Sequence, residues 1–404
     1  MAIANTTATL DGFFKTVYGE KHIDAVPENL FLVKEVDFRE TERIGRKFSV
    51  PVILSREHGV TYLASGDGVQ TLNDSIAAVS KNVEVDGSQI ILRGQIDYEA
   101  AAKASSSKAA FQSTTELLVQ NLLESASNRL EMMFLYGGSG LGTVSSLASQ
   151  VITLTTASWA VGIWAGMEGA VIDVYTSGGS VRQAGLTIAS VDVDNRALTV
   201  TGTTTGIVST DVIYFKGAKG KECSGLDAII TNTGTMFGID ASAYTLWKAQ
   251  SYSCGSAALT MAKVLSATAK AVGRGLREDV VCLVNPLTWQ NLNANEAALR
   301  GYDKSYSSNK SENGFEAITY HGQNGKIEVI SHSMVKEGEG FIFPKKRLKR
   351  VGAQDLSFKT PGREGEIFLH LPDKNAYELR IYGNQALFCE APAKCVKLTG
   401  IVNT

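Results

Sequence analysis

The chain lacks any C-x-x-C pair: its five cysteines, Cys223, Cys254, Cys282, Cys389 and Cys395, are an odd number set far apart or in unrelated spacings. That argues against a disulfide framework or a zinc knuckle and fits reduced thiols buried as small hydrophobes. No apolar run approaches the ~18 residues needed to span a bilayer, so no membrane partner is expected. The start, MAIANTTATLDGFFKTVYGEKH, has no basic leader followed by an apolar run and a small-residue cleavage site. The expectation is a chain made and assembled in a cytoplasm. An excess of one charge is also missing: 39 bases stand against 41 acids, a net charge of −2. No global positive field draws such a chain onto nucleic acid, and any DNA contact has to be local.

Catalytic signatures are absent as well. The five histidines, His22, His58, His321, His332 and His370, are dispersed, with no H-E-x-x-H and no pair at i, i+4. They read as surface or packing histidines, and no metal or cofactor is expected. There is no G-x-S-x-G, and Ser139 lies in a glycine loop without the strand that a nucleophile elbow requires. Asp192, Asp194 and Asn195 start like a calcium loop but lack the following glycine and distal glutamate, so a hairpin turn is expected there. The sequence therefore reads as non-enzymatic.

One stretch invites a different reading. LEMMFLYGGSGLGTV, residues 130 to 144, ends an apolar run in Gly137, Gly138, Gly140 and Gly142. Phosphate loops run strand, glycines, helix, because the helix N-terminus offers free N–H groups to the anion. Here the glycines follow a helix, where carbonyls point outward and the dipole repels an anion, and no Gly-Lys-Ser/Thr lies near. The patch reads as a helix C-cap and chain exit.

What is present is the composition of a soluble globular protein, 44% hydrophobic and 20% charged, in a 404-residue chain long enough for two or three domains. Residues 1 to 49 carry scattered charges and no sustained apolar period, which suggests an arm lying along something else. From 48 to 98 the pattern turns to β, with FSVPVIL, VTYLA and NVEVDGSQIIL, where Asp86-Gly87 is placed as a two-residue hairpin turn. The polar middle of that region, SGDGVQTLNDS, suggests that it projects from the body and needs a partner surface.

From Ser105 to Tyr136 the period changes. Phe111, Leu118, Leu122, Ala126, Leu130 and Met133 recur at sums of three and four behind a run of serines, which predicts one amphipathic helix of about 30 residues, far longer than the average. Residues 144 to 220 contain no Pro, Cys or His and only nine charged residues. VITLTT, AVIDVYT, GLTIASVDV, ALTVTG and DVIYF predict a small sandwich or barrel. Beyond them, SAALTMAKVLSATAKAVGRGL from Ser256 predicts a second helix, DVVCLVNP a buried strand and LTWQNLNANEAAL a short helix. GKIEVISHSM, EGFIFP, LSFKT, EIFLHLP and ELRIYGNQALFCEAPAKCVKLTG predict further strands. Helices and strands mix without a βαβ rhythm, so the class is α+β. KKRLKR carries the sequence's candidate site residues, Lys345, Lys346, Arg347, Lys349 and Arg350, either a solvated face or a contact to phosphate or an acidic patch on a neighbour.

Taken in order, these elements resemble the tailed-bacteriophage major capsid proteins of the Hong Kong 97-like fold. The resemblance rests on Leu135-Tyr136-Gly137, Gly140, Gly225-Leu226, Val284-Asn285-Pro286, Trp289, GKIEVISHSMVKEGEGFIFP and the closing AYELRIYGNQALFCEAPAKCVKLTG, and it covers nearly the whole chain except 144 to 220. It implies an N-terminal arm (1–49), an extended β loop (50–98) and a peripheral domain with a long spine helix (99–143). An inserted barrel-like domain (144–220), an apical domain with peripheral strands (221–375) and C-terminal strands (376–404) would follow. The implied function is self-assembly into hexamers and pentamers of an icosahedral shell around double-stranded DNA, in a virion put together in the host cytoplasm. Implied partners are other copies of the chain, packaged DNA, portal and scaffolding proteins, and a decoration protein. An encapsulin-like compartment of the same fold is the alternative. The Lys-Asn crosslinking motif of some relatives is not found on Lys81 or any asparagine, and the expectation, with the arm opening the sequence, is a separate scaffolding protein or none.

Overall fold

The computed structural model describes residues 30–36, 38, 47–97, 108–300, 318–323, 325–358, 368–372 and 374–403. Most of the arm expected over 1–49, His22 and the helix start expected at Ser105 lie outside these residues.

The described chain begins with a five-residue helix, α1 (Phe31–Glu35), followed by strands β1 (Phe48–Ile53), β2 (Ser80–Val85) and β3 (Ser88–Asp97). β1 and β2 pair antiparallel, Phe48 opposite Val85 and Ile53 opposite Ser80. The hairpin expected at Asp86-Gly87 does not form. β2 pairs with β1, whereas β3 pairs along its whole length with a strand near the C-terminus, so these two residues are a corner between sheets. Gly87 sits against the Asn384 side chain: a Cβ there would stand 1.9 Å from its Oδ1, which would have to swing aside.

The long helix α2 spans Lys108–Tyr136, 29 residues. Its described inward positions follow the predicted spacing: Ala126, Leu130 and Met133 are buried, while Leu118 and Leu122 are half-buried. The last turn is buried on every side, with Met132, Phe134, Leu135 and Tyr136 also in the core. Leu122 comes within 2.9 Å of where a Cβ on Gly94 would lie, so the missing side chain on β3 lets the helix settle close to the sheet.

Strands β4 (Gly142–Ala148), β5 (Val151–Leu154), β6 (Val171–Tyr175), β7 (Val181–Asp192), β8 (Ala197–Thr201) and β9 (Val212–Phe215) close into a barrel in the order β4-β5-β8-β7-β6-β9, with a short helix α3 (Val161–Trp164) between β5 and β6. Closure removes the exposed edges that short strands would otherwise present. Trp159 and Trp164 stack at 6.4 Å and are fully buried. The buried Asp173 carboxylate is satisfied by the N–H groups of Gly185 (2.8 Å) and Gly217 (2.7 Å), as a buried charge must be. Asp192 accepts from the backbone and side chain of Asn195 at the β7–β8 turn, an ordinary hairpin rather than a calcium loop.

After the barrel come α4 (Leu226–Ile230), the two-residue strands β10 (Thr235–Met236) and β11 (Ile239–Asp240), β12 (Gln250–Ala257), α5 (Met261–Val272), β13 (Val280–Val284) and α6 (Pro286–Arg300). Helix α5 starts five residues later than the pattern from Ser256 predicts. Ser256 and Ala257 belong to β12, which runs parallel to the last strand, and Thr260 takes the N-cap position. The remaining strands are β14 (Ile318–His321), β15 (Lys326–Ser331), β16 (Glu339–Phe343), β17 (Leu348–Ser357), β18 (Phe368–His370), β19 (Ala376–Cys389) and β20 (Val396–Ile401). The strand expected at LSFKT is the end of β17, which begins inside the basic run.

Two sheets organise this part. A mixed sheet runs β12-β20-β16-β13-β15-β14, and β17, β18 and β3 all pair with β19 in the other. β13 is buried at all five positions, as a central strand covered on both faces must be. A continuous apolar core links α1, the base of β1 and β2, the end of α2, the barrel interior and α4. A second cluster lies between α5 and the six-stranded sheet.

Candidate functional site

Among the described residues, the clearest unpartnered feature is the loop between β1 and β2. Residues 54–79 form no regular structure, and Val60, Tyr62, Leu63, Val69, Leu72 and Ile76 are all exposed, Tyr62 at 90%, Val69 at 105% and Leu72 at 72%. Such a cluster of exposed large apolar side chains marks an interaction surface. Its base is fixed. Leu54 and Ser55 donate to the carbonyl of Val79 and His58 donates to that of Ile76. Farther out, Asn73 bonds Thr61 Oγ1 (2.8 Å) and the carbonyl of Val60 (2.9 Å).

The ribbon is bolted to the body by three aromatic rings. Phe388 on β19 meets Phe48 on β1 and Phe237 edge-on, each at 5.6 Å between centroids, and Glu84 donates its N–H to the carbonyl of Phe237. Edge-to-face contacts of this kind add about 0.5–1.5 kcal/mol each beyond burial. The loop thus leaves the body from a rigid root.

The segment just before the ribbon is held with equal firmness, and on the chain's own body. The arm was expected to lie along something else; for residues 31–36 that something is α2 of the same chain. Phe31 and Leu32 are buried, and the Glu131 carboxylate of α2 accepts the N–H groups of Leu32 and Val33, both at 2.8 Å. These are donors of the first helical turn, which have no partner inside the helix. Glu131 also bonds His332 Nε2 at 3.1 Å, while His332 Nδ1 accepts from the N–H of Met334 at 3.2 Å. The acceptor role of Nδ1 places the ring proton on Nε2, so His332 donates to Glu131. Sequence reasoning missed this anchor, although a signal existed: Glu131 is the one charge in the otherwise apolar run LEMMFLY.

The basic run is consumed largely within the chain. Arg350 is buried and donates to the carbonyls of Val33 (2.8 Å) and Val36 (3.3 Å), to Gln385 and to Asp355. Arg347 grips Glu278 through Nε (2.9 Å) and Nη2 (2.6 Å) and reaches Glu390 at 3.3 Å. Lys349 pairs with Glu390 at 2.6 Å, and Lys345 pairs with Glu35. Lys346 is exposed. The run's alternation explains the split: it spans a single helical turn, Lys345–Arg347, and the first residues of β17, so its cations point to different neighbours.

A buried polar cluster lies where the barrel meets the rest of the chain. Lys397 on β20 bonds Glu339 (2.8 Å) and Asp227, and Lys336 donates to the carbonyl of Gly140 (3.0 Å) with its ammonium 4.0 Å from the Tyr136 ring centroid. Burial lowers the Lys336 pKa and drives that of the Tyr136 hydroxyl well up. For Lys397 burial acts downward too, but Glu339 and Asp227 outweigh it and the net shift is upward. The cluster is a structural tie: its members face one another and their own backbone. The barrel is tied further by Gly162 to Ser333, Glu337 to Trp159 and Gly338 to Ala157, all through backbone bonds, and by Arg196 to Glu337 at 3.3 Å.

Among the described histidines, His58, His321 and His370 are exposed and His332 is the buried one. All five cysteines are free and buried. Among the described residues no group of three or more His, Cys, Asp or Glu is arranged to hold a metal, and no helix is long and apolar enough to cross a membrane.

No protein-family model matches the chain, and no curated protein matches it. Solved structures do. The cyanophage A-1(L) capsid asymmetric unit aligns over 98% of this chain and 99% of its own at 10% identity, with a TM-score of 0.59. The capsid of a native GTA particle aligns over 99% and 100% at 8% identity and a TM-score of 0.53, and that of an empty GTA particle over 99% and 100% at 9% and 0.52. With end-to-end coverage at so low an identity, what is shared is the fold: this chain is folded as those capsid proteins are.

Proposed function

We propose that this chain is the major capsid protein of a tailed double-stranded DNA bacteriophage, a structural subunit rather than an enzyme. Copies assemble into hexamers and pentamers of an icosahedral shell that encloses the genome. The observation that carries this reading is the rooted apolar loop at 54–79, on a chain with a fold shared by capsid proteins. A large aliphatic or aromatic side chain gains about 1.5–3 kcal/mol on full burial, so six such groups on one loop favour a partner surface strongly. In a closed symmetric shell the same surface on every copy serves as that partner.

The finer layout belongs to the same reading. Residues 1–49 act as an arm, 50–98 as an extended loop across a neighbour, and 99–143 as the peripheral domain with its spine. The barrel at 144–220 is an insertion, 221–375 carries the apical domain, and 376–404 closes the fold. The insertion is favoured by its ends: Gly225 donates its N–H to the carbonyl of Gly137 at 2.9 Å, so the chain returns to the place it left. Packaged DNA, portal, scaffolding and decoration proteins are the further partners, and Lys346 is the member of the basic run placed for a contact outside the chain. Assembly in the host cytoplasm suits a chain whose cysteines are all free thiols.

Deleting residues 60–80 tests the proposal. The expected product is a folded, soluble subunit that gives no round particles by negative stain. Particles at normal yield from the deleted chain would overturn it.

A further inference from the structure

We propose that Cys389 and Cys395 are a dithiol that closes to a disulfide when the chain meets an oxidant, stapling the two sheets together at the point where one strand passes into the other. Cys389 is the last residue of β19, in the sheet that includes β17 and β3, and Cys395 immediately precedes β20 of the six-stranded sheet. Both are fully buried, and their sulfurs lie 3.7 Å apart, in contact. A disulfide requires a sulfur separation near 2.05 Å, and rotation about the Cα–Cβ bonds moves each sulfur by more than the difference. Among the described residues no other two thiols are in hydrogen-bond contact.

The turn between them is held in place from outside. Glu390 pairs with Lys349 (2.6 Å) and Arg347 (3.3 Å), Lys394 pairs with Glu278 (3.4 Å), and Cys395 donates its N–H to the carbonyl of Pro392 (2.9 Å). These bonds anchor the turn that carries the two cysteines. The pair is also slow to react: the hydrogen bond to Cys389 and burial hold the Cys395 thiol well above its ordinary pKa, and only a thiolate attacks a disulfide. Reaction therefore proceeds through local opening of the 390–394 turn.

With oxidised glutathione as oxidant the step balances. The Cys395 thiol loses its proton and attacks one glutathione sulfur, expelling the first glutathione thiolate. The Cys389 thiol, deprotonated in turn, attacks the Cys395 sulfur of the mixed disulfide and expels the second. Two cysteine thiols are oxidised, one glutathione disulfide is reduced, and the two protons leave on the glutathione thiols. In a reducing cytoplasm the pair stays open. On the shell reading, closure would follow release of the particle, but the chemistry of the pair does not depend on that reading.

The test uses the full chain, purified under reductant, exchanged into oxidised glutathione, then denatured, labelled with N-ethylmaleimide and cut with trypsin. Cleavage after Arg380, Lys394 and Lys397 puts the two cysteines on separate peptides, Ile381–Lys394 and Cys395–Lys397. We expect the five labels of the reduced chain to fall to three, with those two peptides joined, and no such joined species from Cys395→Ser. A chain that keeps all five labels, or that joins Cys223, Cys254 or Cys282 instead, overturns the proposal. Failure to form particles would bear on the shell reading alone.

Discussion

Gly225 and Gly137 touch backbone to backbone where the chain leaves for the barrel and where it comes back. The N–H of Gly225 bonds the Gly137 carbonyl at 2.9 Å, and a Cβ on Gly225 would stand 2.5 Å from Gly137 N and 2.8 Å from the Met133 carbonyl oxygen. No side chain fits between these two strands of backbone, because the obstructing atoms cannot rotate away. The glycine-rich patch is therefore mechanical: Gly138 and Gly140 adopt positive φ (82° and 84°) to turn the chain out of the helix, and Gly137 makes room for the return.

Gly225→Ala should cost about 2 kcal/mol or more, since overpacking against fixed backbone displaces the end of α2. Gly138→Ala meets nothing within 4 Å and should cost only the strain of its φ, about 1 kcal/mol. Urea unfolding of both variants checks the order. Equal costs would show that the close approach is not what selects glycine at 225.

Glu131→Ala removes a buried acceptor and leaves two backbone donors and His332 Nε2 unpaired. The expected loss is about 3 kcal/mol, the range for breaking a buried charged network. Protease sensitivity around residues 31–36 should rise in parallel, because α1 loses the group that holds its N-terminus.

Tyr62→Ser, Val69→Ser and Leu72→Ser change side chains that are mostly exposed among the described residues. Each should change subunit stability by less than about 0.5 kcal/mol, as surface substitutions do. The triple variant should nevertheless fail to form particles. Thermal unfolding of the subunit and negative stain of the assembly mixture separate the two effects.

The hydrogen bonds from Arg347 hold the Glu278 carboxyl below its ordinary pKa of 4.5. The unfolded chain then takes up that proton first on acidification. The pair's stabilisation is fully present above pH 4.5 and is lost as pH falls through the folded value. Glu278→Gln should flatten the acid limb of a stability-versus-pH curve below that point and leave its slope at neutral pH unchanged.

Periodicity carried a large part of the fold. The long helix, the five β runs of the barrel and the buried strand Val280–Val284 were legible because each is a local pattern set by 3.6- or 2-residue spacing. The corner at Asp86-Gly87 was not, since an Asp-Gly pair states only that a turn is easy and leaves open which strands pair across it. Nor was the fate of the basic run: four of its five cations are met by Glu35, Glu278, Glu390 and Asp355, all but the last distant in sequence.

By itself, the order of residues determined the long helix, the five β runs of the barrel, the buried strand Val280–Val284 and the glycine exit, and it placed six large apolar side chains on one stretch, 54–79. Only the tertiary structure decided that Glu131 and Arg350 seize opposite ends of α1, that Gly225 returns to Gly137, and that two sulfurs meet at the passage between sheets. The reason is physical. Local propensity acts over a few residues, whereas a buried carboxylate, a glycine contact or a thiol pair takes its meaning from groups that only folding brings within 3 to 4 Å.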